Sequence, residues 1–356
     1  METTRLIIWN ITLVDVSKLF EGLGDLVGLI RVRQGGRISQ ESKLVIAICQ
    51  MKQVFLGTVF FLHRFVCSML KSMSPRRKKF MLTFVLVVTI GALLVVSLWE
   101  GLTVRPYTLS TGKISTKLTI AILSDLHSTV YGENQSVLLK KVKEQKPDLV
   151  LLAGDIVDDR RPAEGAIALL KSIATAYPCF YVTGNHEFWS GRADEIKESI
   201  RSLGITVLEG RCTDITLKGQ QLQICGVDDP DGFTHERFYG EEISARWDEQ
   251  FERCKKELKK NVFSILLSHR PERVAYYKGS GFDLVVSGHA HGGQIRIPGL
   301  IDGLYAPDQG LLPKYTGGVY DLRGTRMVVS RGLSRSFIPR VFNPPELVIM
   351  NIEPLQ

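Results

Sequence analysis

The sequence predicts a layered α/β domain with two β-sheets, preceded by a transmembrane helix. Three observations carry this. Short, continuously apolar runs alternate with amphipathic stretches between residues 118 and 187. Strand-rich sequence then continues almost to the C-terminus. Upstream, FMLTFVLVVTIGALLVVSLW fills positions 80–99 without a single charge. Strands that are apolar throughout are covered on both faces. A βαβ alternation followed by further strands is the pattern of a layered core.

The uncharged run comes first along the chain. At ~1.5 Å per residue its length matches a hydrocarbon core of ~30 Å. Glu100, Gly101 and Leu102 follow it without a small-x-small cleavage site, so the segment reads as an uncleaved anchor rather than a signal peptide or a buried core helix. The charge pattern agrees. Residues 42–99 hold eight basic residues and no acid, and the other 37 basic residues match the 37 acidic ones. The net charge of +8 therefore lies in membrane flanks, not on a phosphate-tracking surface, and no nucleic-acid partner is expected. The run Arg76, Arg77, Lys78, Lys79 should stay in the cytoplasm, which places the later domain on the extracytoplasmic side of the cell membrane. VFLGTVFFLHRFVCSML at 54–70, interrupted by His63 and Arg64, is a weaker second span. Met73 opens a compact basic n-region, MSPRRKKF, so residues 1–72 read as an extension upstream of the true start. The expected organisation is extension (1–72), basic flank and anchor (73–100), a polar, turn-rich linker (101–116) and a catalytic domain (117–356).

Within that domain, LTIAILSD (118–125) is the first apolar strand and residues 134–146 carry a helical pattern. PDLVLLAGD (147–155) is the second strand, a helix follows at 163–176, and CFYVTGNHE (179–187) is the third strand. Next come ITVLEG (205–210), ITLKG (215–219) and QLQICGVDD (221–229), then a long polar helix at about 240–260. FSILLSHR (263–270), FDLVVSGHAH (282–291), MVVSRG (327–332) and ELVIMNI (346–352) complete the strands. The six cysteines form no CxxC or other zinc-like spacing, and buried free thiols are expected.

Five strand ends bear the same chemistry: Asp125-Leu126-His127, Gly154-Asp155, Gly184-Asn185-His186-Glu187, Ser268-His269 and Gly288-His289-Ala290-His291. Ligands of open α/β sheets gather at carboxyl ends of strands. Residues i and i+2 of a strand share a face, so Asp125 can join His127, and His289 can join His291, on one ion. Asn185 and His186, adjacent in extended chain, should point apart, one a ligand and the other not. The donors Asp125, His127, Asp155, Asn185, His269, His289 and His291 exceed the needs of one four-coordinate ion. They suit two ions sharing a carboxylate. Imidazole with carboxylate and no thiolate suits Mn, Fe or Zn over Mg or Ca.

The order DxH, GD, GNHE, SH, GHAH resembles the calcineurin-like metallophosphoesterase superfamily. LLSHRPE, GHAHGGQIRIPG and SRGLSRSFIPRVFNPPE resemble its membrane-associated YkuE/YaeI-like branch. The resemblance covers about residues 117–353. It implies a sandwich of two mixed β-sheets flanked by helices, with a dinuclear site at strand ends. It further implies that Asp125, His127, Asp155 and His291 hold one divalent ion, and that Asp155, Asn185, His269 and His289 hold the other. His186 matches the family's catalytic histidine. The expected activity is hydrolysis of phosphate mono- or diesters, lipid-linked ones among them, by a hydroxide that bridges two metals. Two other readings compete: a metal-binding interaction module without catalysis, and a metal-dependent amidohydrolase. Absence of GxSxG and GxxxxGK[ST] removes serine-hydrolase and P-loop chemistry.

Overall fold

A computed structural model describes residues 73–236, 242–335 and 338–355. The extension at 1–72 and the weaker apolar run at 54–70 lie outside them. The chain divides into two units, Met1–Thr89 and Ile90–Gln356. Helix α1 (Pro75–Ser97) contains most of the uncharged run and is long and apolar enough to cross a membrane. Among the described residues its side chains are almost all exposed.

Residues 101–116 form no linker. Nine of them make strand β1 (Thr103–Thr111), which pairs in parallel with the C-terminal strand. Its side chains alternate in exposure, and Tyr107 and Leu109 pack on the core. Pro106 marks it as an edge strand, since proline cannot donate to a ladder on both sides. The polar alternation that suggested a linker is that of a strand with one wet face.

The βαβ region follows the expected order: β2 (Leu118–Leu123), α2 (Ser136–Gln145), β3 (Leu149–Ala153), α3 (Glu164–Ala174) and β4 (Cys179–Val182). The third strand stops at Val182, however. Asn185–Trp189 is a short helix, α4, and a second helix, α5 (Ala193–Ser202), follows it. Strands β5 (Thr206–Val207), β6 (Arg211–Leu217) and β7 (Gln220–Gly226) lead to α6 (Glu242–Lys256) and β8 (Phe263–Leu267). The short helix α7 (Val274–Tyr277) precedes β9 (Leu284–Ser287). A small hairpin, β10 (Tyr305–Ala306) and β11 (Gly310–Leu311), was not foreseen. Strands β12 (Gly318–Asp321), β13 (Arg326–Val329) and β14 (Glu346–Pro354) close the chain.

Two six-stranded mixed sheets result, in the orders β1-β14-β2-β3-β4-β5 and β12-β13-β9-β8-β7-β6. Their inner faces meet through Ile120, Ile122, Leu151 and Phe180 of the first and Ile224, Ile265, Leu267 and Val286 of the second. The outer face of the first sheet is covered by Leu138 and Val142 of α2, Leu169, Leu170 and Ile173 of α3 and Ile200 of α5. Trp247 and Phe251 of α6 cover the second against Leu266 and Val285. This is the helix-flanked sandwich expected.

The cysteines depart from expectation. Cys212 and Cys225, opposite each other in the β6–β7 ladder, form a disulfide. Among the described residues, Cys179 and Cys254 are buried free thiols. The strand expected over 221–229 stops at Gly226, and the acids that follow face inward: Asp229 accepts two hydrogen bonds from Arg270, and Asp228 pairs with Lys197.

Candidate metal centre

Parallel order brings the carboxyl ends of β2, β3, β4, β8 and β9 to one edge of the sandwich, and each predicted residue lies just past one of them. The convergence is achieved differently from the strand alternation expected. Asp125, His127, Asp155, His289 and His291 all have positive φ, between 46° and 62°. The strands have ended, and left-handed turns aim the side chains inward. A non-glycine residue held there costs on the order of 1 kcal/mol or more, and such strain persists where surrounding structure over-determines it. Here the ladder continues across the turns: Asp125 N–H donates to Gly154 O and His127 N–H to Asp155 O. Two glycines make room. A Cβ on Gly184 would sit 2.2 Å from Asp155 Oδ1, and one on Gly288 would sit 1.8 Å from Ser124 Oγ.

Asp155 is central. Its Oδ2 lies 3.2 Å from His269 Nε2 and 3.5 Å from His127 Nε2, while its Oδ1 accepts from His186 N–H at 2.9 Å. Asp125 Oδ1 accepts from His289 N–H and lies 3.6 Å from His291 Nε2. Besides the groups His127, Asp158 and His186, and Glu272, His289 and Asp308, two donor groups at the centre could each hold a cation: Asp125, His127, Asp155 and His291, and Asp155, His269 and His289. They share Asp155. Asn185 is buried with its Oδ1 unpartnered, and so are His127 Nε2, His269 Nε2 and Asp155 Oδ2. Buried polar atoms without a hydrogen-bond partner are costly, and four at one point fit divalent cations.

The histidines are oriented from behind, as metal-binding imidazoles usually are. His127 Nδ1 donates to Asp158 at 3.1 Å, and His269 Nδ1 donates to Ala153 O at 2.7 Å, each leaving Nε2 for the centre. His289 Nε2 is 2.9 Å from Asp308 Oδ2, which leaves Nδ1 as its remaining nitrogen. Ser334 Oγ lies 3.2 Å from His291 Nδ1 and accepts from the buried Arg340. Burial pulls the His269 pKa down, but the adjoining Asp155 carboxylate outweighs it and lifts the imidazole to about 10 in the metal-free protein. The same contact, working against burial, holds Asp155 well below the usual carboxylate range.

His186 stands apart from both donor groups that share Asp155. Its Nδ1 is 2.6 Å from Asp159 Oδ1, and its ring packs edge-on against His127 at 4.3 Å. Sequence reasoning missed the supporting residues Asp158, Asp159, Asp308 and Ser334. It also missed Glu187, which is wholly buried and accepts from the N–H groups of Asp155, Ile156, Val157 and Gly184. One signal was available: glutamate at the third position after Gly184 is a capping-box spacing. Burial, with Asp155 adding to it, lifts the Glu187 pKa to about 7.

Comparison with known proteins bears on this geometry. The family model described as calcineurin-like phosphoesterase matches residues 118–293. A metallophosphoesterase of Aquifex aeolicus is 31% identical over 265 residues, which cover 71% of this chain and 92% of the relative. The chain belongs to the calcineurin-like metallophosphoesterases. YkuE of Bacillus subtilis is 27% identical over 241 residues, 66% of this chain and 78% of its own. The phosphodiesterase YaeI of Escherichia coli is 28% identical over 215 residues, 59% of this chain and 72% of its own. This calcineurin-like chain is thus similar to the branch its motifs suggested. It spans 59% and 61% of the length of the Campylobacter jejuni and Helicobacter pylori relatives it matches.

Proposed function

We propose that the chain is a membrane-anchored phosphoesterase that uses two divalent cations to hydrolyse phosphate mono- or diesters. The observation that carries this is the set of buried nitrogen and oxygen atoms without hydrogen-bond partners gathered around Asp155. Asp125, His127, Asp155 and His291 would hold one cation; Asp155, Asn185, His269 and His289 would hold the other. When bound, such a pair lowers the pKa of water and neutralises charge on phosphate oxygens.

The chain's own residues do the rest. Asp158 and the Ala153 carbonyl fix the tautomers of His127 and His269. Glu187 holds the Asp155 turn by its backbone, so the shared carboxylate is rigid. His186, braced by Asp159, protonates the departing oxygen at Nε2. A histidine so braced and outside the donor set supports an enzyme over a binding module. Family membership sets the amidohydrolase reading aside.

The anchor is α1, with its basic flank in the cytoplasm and the catalytic domain on the other side. The Cys212–Cys225 disulfide supports this sidedness, because disulfides persist in oxidising compartments. Protein stripped by chelator should lose activity on nitrophenyl phosphate mono- and diesters and regain it with Mn²⁺. Activity indifferent to chelation would sink the proposal.

A further inference from the structure

Apart from Ala306, which is buried in the core, the segment 297–312 exposes its large apolar residues. Ile297, Leu300, Leu304, Tyr305, Leu311 and Leu312 are all exposed, Leu300 by 78%, Leu311 by 75% and Leu312 by 66%. Single exposed leucines are ordinary, but six large apolar side chains within sixteen residues form a patch. Backbone bonds hold them together: Ile297 bridges Ile301, Tyr305 pairs with Leu311, and Leu312 N–H donates to Leu304 O. The segment's two acids are each paired with an arginine, Asp302 with Arg296 and Asp308 with Arg270, and both carboxylates keep an exposed side.

Two further contacts say what lies against this patch. The segment borders the centre, since Leu304 N–H donates to Gly293 O and Asp308 meets His289. It also adjoins the end of α1. Ile295 bridges Val341, Arg296 N–H donates to Val341 O, and the next residue, Phe342, donates its N–H to Ser97 O. Exposed Leu98 and Trp99 complete that junction. If α1 spans a bilayer, its end marks the headgroup region, where tryptophan and tyrosine concentrate.

We propose that residues 297–312 form an interfacial loop that enters the bilayer surface beside the metal centre. This rests on the membrane-anchored reading above. It presents that centre to phosphate esters borne on lipid. The contact is apolar rather than electrostatic. The arginines of 330–340 mostly face inward: Arg340 is buried, and Arg331 pairs with Glu346. Arg335 stacks on Tyr131, and Ser336 and Phe337 lie outside the described residues.

The test uses the full chain reconstituted in phosphatidylcholine vesicles. Leu311→Trp and Leu300→Trp add an indole at the patch, and Lys256→Trp adds one on the exposed face of α6. Phosphatidylcholine brominated on its acyl chains should quench the first two beyond the wild-type background, with a blue-shifted emission that 0.5 M salt leaves unchanged. Lys256→Trp should match the background. No added quenching in either patch variant, in protein that still pellets with carbonate-washed vesicles and cleaves aryl phosphates, overturns the loop and leaves the anchor standing. Release by carbonate overturns both. Added quenching that appears only as protein density in the vesicles rises assigns the patch to a second copy and overturns the proposal.

Discussion

At the residue scale, His186 and Asp155 carry the account. His186→Gln removes no proposed ligand, so metal content should hold while the rate falls by ~10²–10⁴, the usual worth of a positioned acid. An alkyl ester should suffer more than a nitrophenyl ester, whose leaving group departs readily as an anion. Equal losses on both would mean that His186 orients phosphate without donating a proton. Asp155→Asn should lower bound metal below the level left in His127→Ala, because only Asp155 belongs to both donor groups. Plasma emission spectrometry on dialysed variants reads this directly. These residues were legible because their chemistry sits in short strings, DxH, GD, GNHE and GHAH, that a sequence displays intact. Their partners were not. Asp308 lies 19 residues from the His289 it meets, and Ser334 lies 43 from His291, so only the fold brings them together.

At the element scale, the turns after the strands determine the site. Glu187 binds four backbone N–H groups of two such turns, and its loss leaves buried donors unpaired at ~1–3 kcal/mol each. Glu187→Ala should therefore lower the thermal midpoint by several degrees even in metal-loaded protein, and scanning calorimetry would show it. An unchanged midpoint would mean that water replaces the carboxylate. The sequence revealed strands whose faces are both buried, since an unbroken apolar run survives any register. It hid β1, whose wet face looks like a linker, and the two-residue strands β10 and β11, too short to carry a period. It also hid α4, because GNHE follows an apolar strand without a break and only the cap at Gly184 turns it helical.

At the scale of the whole molecule, the proposed metal binding is linked to protonation through His269. In metal-free protein the folded pKa of His269, about 10, exceeds the unfolded value of about 6.5. Its contribution to stability is therefore full below pH 6.5 and disappears as pH rises towards 10. Chelated protein should lose thermal stability across that window, whereas metal-loaded protein, whose His269 is already neutral, should not. Metal uptake should release protons, detectable as a calorimetric heat that varies with the buffer's ionisation enthalpy. In intact cells, a tag placed after Gln356 should be open to external protease, and protection would reverse the sidedness. The central claim is two cations sharing Asp155 in a catalytic centre. It is tested most directly by titrating chelator-stripped protein with Mn²⁺ while following bis(nitrophenyl) phosphate hydrolysis. The account predicts negligible activity before metal is added and a plateau at two equivalents per chain. A plateau at one equivalent, or full activity in the stripped protein, would contradict it.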